Sequence, residues 1–173
     1  MVEDHRKSRK TMIQQESEAT AEDAERVKAE VQAFIQQTEP QVMAWLTTLR
    51  KDGRPLSRPV ATFVEGWAVG TISQEEHLKN RHIRKNPEVA YLWVELNPPT
   101  GQRPKSVFLQ GKCEVIEDDA TVQAFFKRRV EVQGKPDAHP DEDWKRLLLS
   151  TTPSIVRAEG FLGPLKPAVY RFG

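Results

Sequence analysis

Between Thr20 and Pro40, the apolar residues Ala24, Val27, Val31, Phe34 and Ile35 recur at spacings of three and four. That period places them in one stripe along a helix. Thr20 is a suitable N-cap, with Asp23 as a weaker form of the capping-box acid. Pro40 sets the outer limit, because proline disfavours helical geometry in the residue before it. From Val42 the pattern shortens. VMAWLTTL, LSRPVATFV and WAVGTIS read as strands joined at Asp52-Gly53 and Glu65-Gly66, dipeptides that turn tightly. Pro59 has no N–H to give, so the second strand lies at an edge or carries a bulge. Residues 74–86 read as a short helix stopped at Asn86-Pro87. VAYLWVEL and the long alternating SVFLQGKCEVIE follow as strands. Asp118 or Asp119 caps a helix through ATVQAFFKRRV, Asp141 caps a last helix over EDWKRLLLS, and SIVRAEGF and AVYRF close the chain as strands.

Strands that meet through tight turns pair antiparallel rather than through βαβ crossovers. The expectation is a mainly β fold with flanking helices, six to seven antiparallel strands closing as a barrel or packing as a sandwich. Residues 1–17 show no apolar periodicity and read as a mobile tail, 18–39 as a helix packing on the barrel, and 40–173 as the barrel domain.

Composition narrows the chemistry. The 173 residues carry 26 Lys and Arg against 25 Asp and Glu, a net charge of +1, which disfavours a strongly basic nucleic-acid binder. The charge is uneven: residues 1–39 hold 6 basic and 9 acidic side chains. No apolar run reaches the ~18 residues of a membrane span. The first residues lack the apolar core of a signal peptide, so a cytoplasmic protein is expected. The single cysteine, Cys113, and four scattered histidines form no zinc pattern. GxSxG, HExxH and P-loop motifs are absent, and the carboxylates suggest no acid/base pair.

The short helix is more informative. It carries Lys79, Arg81, Arg84 and Lys85, with no acid after Glu76. Arg84 and Lys85 complement the C-terminal end of the helix dipole. Lys79 lies in the first half, where a cation is unfavourable unless an anion or a carboxylate is close.

Lys79-x-x-x-Ile83-x-x-Asn86-Pro87-x-Val89-Ala90 resembles the K-x-x-x-[LI]-x-x-N-P-x-V-[AS] element of the pyridoxamine 5'-phosphate oxidase-like split β-barrels. DGRPLSRPV (52–60) resembles the first hairpin of that family, and VFLQGKCEVIED (107–118) a later barrel strand. The resemblance implies an antiparallel split barrel and a homodimer that binds FMN between subunits. It places Arg58 and Lys79 on the flavin phosphate, with Ser73 and Asn80 beside them, the backbone of Pro59 and Val60 along the ring, and Ser106 at a position usually held by a ring-contacting glutamine. The implied activity is FMN-dependent oxidoreduction of a small molecule by hydride transfer, with no catalytic side-chain dyad.

The departures are specific. The usual S-R-K reads His77-Leu78-Lys79 here. The substrate-phosphate grip of the true oxidase falls on Phe63, Phe125 and Arg129, and the C-terminal W-R…R-L motif is missing. A vitamin B6 oxidase is therefore not expected. Two alternatives stand behind FMN. One is a reductase using the deazaflavin coenzyme F-420, with Arg54, Arg81 and Arg84 available for its anionic tail. The other is a non-enzymatic flavin- or haem-binding module, with His77 or His82 as axial ligand.

Overall fold

The computed structural model describes residues 21–37, 42–134, 144–163 and 166–173. The tail, the Thr20 cap, Pro40 and the Asp141 cap lie outside these residues. Among the described residues, three helices and eight strands follow in the order α1 (Ala21–Gln36), β1 (Met43–Leu49), β2 (Pro55–Val60), β3 (Phe63–Glu65), β4 (Ala68–Gln74), α2 (Leu78–Lys85), β5 (Glu88–Val94), β6 (Ser106–Ile116), α3 (Asp119–Gln133), β7 (Arg146–Glu159) and β8 (Ala168–Arg171).

All the strands belong to one antiparallel sheet of order β2-β1-β5-β6-β7-β4-β3, with β8 on β7. The mainly β, split-barrel expectation holds, with a sheet curled into a half-barrel. Alternation puts Ala44, Leu46, Tyr91, Trp93, Val107 and Leu109 inside. The apolar stripe of α1 packs on that inner face through Val27, Val31, Phe34 and Ile35. Helix α3 is capped by Asp118, whose carboxylate accepts from the Thr121 N–H at 2.8 Å. Its Phe125 meets Phe63 edge to face, with ring centroids 5.6 Å apart.

Two expected boundaries move. LSRPVATFV divides after Val60, so β2 pairs with β1 while β3 pairs with β4. The chain thus crosses from one end of the sheet to the other within two residues. The segment RLLLS, expected as helix, opens strand β7, and Leu147, Leu148 and Leu149 are all buried. A short apolar run buried on both faces carries no period that separates strand from helix. Here β7 has α3 packed against it.

Candidate functional site

Basic side chains from β2 and α2 converge at the β4–α2 connection, where the charge of Arg58 acts on both His77 and Lys79. Strand β4 runs to Gln74, residues 75–76 turn, and His77 opens α2. Asn86 closes the helix: its N–H reaches the His82 carbonyl at 2.9 Å, and its Oδ1 accepts from the Glu88 N–H at 3.0 Å.

Asn80 and Ser73 brace this corner. Both are buried. The Asn80 amide donates to the carbonyls of Gln74 and Glu75 at 2.5 and 3.1 Å, and its Oδ1 accepts from the Ser73 hydroxyl at 2.8 Å. The one proton on the Ser73 hydroxyl is thereby spent within the protein.

Lys79 is 8% exposed, and its ammonium donates to His77 Nδ1 at 2.7 Å. An ammonium cannot accept, so Nδ1 is the unprotonated nitrogen of that ring. Burial holds the His77 pKa below its ordinary value, with Lys79 and Arg58 adding to the effect against Glu76. Burial pushes the Lys79 pKa down to about 8, and the charge of Arg58 contributes. Among the described residues no carboxylate pairs with either Lys79 or Arg58. Two half-desolvated cations that repel each other, with no counter-charge, fit a bound anion.

Arg58 sits on the inner face of β2, beside Leu46 of β1, and donates to Thr48 Oγ1 at 3.3 Å. Desolvation lowers its pKa. Thr48 is fully buried, and its Oγ1 lies 3.0 Å from His82 Nδ1. Burial is the main reason the His82 pKa is lowered, followed by Arg58, Arg50 and Arg81, with Asp52 opposing. Sequence reasoning did not single out Thr48. Its signal was a hydroxyl at an inward position of VMAWLTTL, in step with Ala44 and Leu46.

The structure thus gathers Arg58, Ser73, Lys79 and Asn80, and adds Thr48, His77 and His82. Pro59 and Val60 lie next to Arg58 on β2. Ser106 is not brought to the cluster: it starts β6 opposite Val94 and Glu159, away from the end of β5 that follows α2. Cys113 is a packing residue whose thiol burial raises to about 11. Among the described residues, no group of three or more His, Cys, Asp or Glu side chains could hold a metal ion.

Residues 27–157 match the family model described as pyridoxamine 5'-phosphate oxidase. The chain belongs to that family. No match was found among curated proteins. Solved structures share the fold. General Stress Protein 26 from Bacillus anthracis str. Sterne aligns with a TM-score of 0.60 and 18% identity, over 84% of this chain and 98% of that one. An F420 reductase aligns at 0.57 and 20%, over 72% and 94%. A heme binding protein from Mycobacterium smegmatis aligns at 0.63 and 18%, over 84% of this chain and 57% of that protein. At these identities the likeness concerns the fold alone. Among the described residues of this family member, no helix is long and apolar enough to cross a membrane.

Proposed function

We propose that this protein is an FMN-dependent oxidoreductase acting on a small molecule, with the cofactor phosphate held by Arg58 and Lys79. The observation that carries the reading is the pair of neighbouring cations, Lys79 buried and Arg58 partly so, with no carboxylate on either among the described residues. When bound, a flavin supplies hydride transfer. The chain's own work is to bind and orient. Arg58 is aimed by Thr48, Lys79 is held by His77, and Asn80 with Ser73 fixes the corner from which α2 projects. Pro59 and Val60 follow Arg58 along the edge that would flank the ring. The phosphate of F-420 would suit the same two cations. Absorbance and mass spectra of the ligand released on denaturation decide the cofactor: FMN is the expected product, and a haem Soret band or an empty supernatant from freshly purified protein overturns the reading.

A second copy of the chain completes this proposal. Pro59, Trp45, Leu92 and Phe108 are cross-strand neighbours, so they form one apolar row on the outer face of β2-β1-β5-β6. Trp45 is 39% and Leu92 38% exposed. Light scattering at micromolar concentration should give twice the chain mass, and Trp45→Glu should shift it toward the monomer.

Oxidation of pyridoxine 5'-phosphate should be negligible. Phe63 and Phe125 pack edge to face, and Phe125 covers Gly70, so two of the three positions expected to grip the substrate phosphate are packing residues. Arg129, the third, donates to Gln133 Oε1 at 3.2 Å. An oxygen-consumption assay with FMN-loaded protein should therefore show no turnover above background.

A further inference from the structure

A groove of about 790 Å³ lies between the β1–β2 turn and α2, next to the Arg58–Lys79 cluster but lined by neither residue. Its walls are Arg50, Lys51, Asp52, Leu56, Leu78, Arg81, His82, Arg84 and Lys85. Five cations face one carboxylate. That carboxylate is engaged by Arg50 and Arg54, at 3.5 and 3.4 Å. Arg84 is engaged by Glu117 at 2.6 Å. Among the described residues Lys51, Arg81 and Lys85 have no carboxylate partner. Leu56 and Leu78 add apolar surface, and the Leu78 side chain is left largely exposed.

His82 ties this groove to the cluster. It is 8% exposed. Thr48 Oγ1 accepts from Arg58 at 3.3 Å and keeps its own proton to offer His82 Nδ1, 3.0 Å away. A neutral ring that accepts there carries its proton on Nε2. That N–H has no partner among the described residues, and its ring is part of the groove wall.

We propose that this groove is a second anion subsite, which receives the carboxylate or phosphate of a small organic anion with an apolar body: Lys51, Arg81 and Lys85 supply the charge, His82 Nε2–H the directed hydrogen bond, and Leu56 and Leu78 the apolar contact. The subsite is argued from the groove itself and does not depend on the oxidoreductase reading. Charge complementarity and one fixed donor select an anion over a neutral isostere.

The test uses the full chain, with 2-naphthoate as the probe and 2-naphthalenemethanol as its neutral counterpart. Binding is read from the imidazole nitrogens of His82 and the amides of α2 by NMR, with and without saturating FMN. The expected result is a neutral His82 with its proton on Nε2, naphthoate binding that persists with FMN present, and at least about tenfold weaker binding of the alcohol. Arg81→Glu with Lys85→Glu should weaken naphthoate by a similar factor, and His82→Phe, which keeps the ring volume, should weaken it without unfolding the chain. Equal binding of the neutral probe, insensitivity to the charge reversals, a proton on Nδ1, or displacement of naphthoate by FMN overturns the proposal. Failure of FMN to bind at all would instead count against the oxidoreductase reading, while the naphthoate arms stay readable.

Discussion

Lys79→Met should bind FMN roughly 30-fold more weakly than the native chain, the equivalent of ~2 kcal/mol for a lost charge-assisted hydrogen bond in a buried site. The same variant should melt at a higher temperature when no ligand is present. A lysine pKa of about 8 in the folded protein, against 10.5 ordinarily, means that folding disfavours the charged form. Between those two values the unfolded chain holds a proton that the folded chain releases, so ligand-free stability rises with pH across this window. Below it the cost of the buried charge is present in full. Methionine fills similar space without the charge, so its stabilising effect should be largest below pH 8 and fade toward 10.5. Native FMN affinity should fall above pH 8, because the bound phosphate requires the protonated lysine. Arg58→Ala should lose comparable affinity, while Lys127→Ala, on the exposed side of α3, should lose none. Fluorescence titration and thermal melts over the neutral to alkaline range measure both effects. Loss of stability in Lys79→Met, with FMN binding intact, would mean that the lysine is a structural member of the corner.

Gly111→Ala should be among the most damaging single substitutions in the sheet. The register of β6 against β7 shifts between Gln110 and Gly111, where two residues of β7 face the chain closely. A methyl group at Gly111 would stand 2.2 Å from the Thr152 carbonyl oxygen and 2.9 Å from its carbon. Both are backbone atoms of the longest strand pair, so relief requires prising β6 from β7. The cost should sit at or above the top of the ~1–3 kcal/mol found for overpacking. That corresponds to a melting temperature lowered by roughly 5–10 °C for a chain of this size. Gly70→Ala is the contrast. Its methyl group would meet the Phe125 ring at 2.2 Å, and a ring on α3 can move. Adding Phe125→Leu should recover most of the Gly70→Ala loss and none of the Gly111→Ala loss.

The two glycines also show how far local patterns reach. The α1 stripe was readable because helical period and burial agree at Val27, Val31, Phe34 and Ile35. Strands β1, β4 and β5 were readable as short apolar segments bounded by turn or helix signals, and β6 from its alternation. The Leu147–Leu149 run was not, since helix α3 supplies the second face that makes all three buried, and nothing local announces it. At the site, Lys79 and Arg58 were readable through their motifs. The Thr48–His82 contact spans 34 positions and exists only once β1 and α2 are packed together. His77 was visible as a departure from S-R-K, but its hold on Lys79 depends on a corner built by Asn80 and Ser73.

Strand β2 ends the sheet, and such a strand ordinarily offers a row of free N–H groups to any passing chain. In an antiparallel pair, alternate residues point their N–H groups away from the partner. Pro55 and Pro59 share one parity, opposite Leu49 and Trp45, with Ser57 between them opposite Thr47. Prolines cannot donate, so the outward-pointing set must be 55, 57 and 59, and two of its three donors are missing. Arg58, of the other parity, keeps its backbone bonds to β1 and its guanidinium on the inner face. The same short sequence, PLSRP, therefore aims a cation inward and blunts the border against strand addition. Growth of the sheet by edge-to-edge stacking, the route to fibres, is closed at the border beside the cationic cluster.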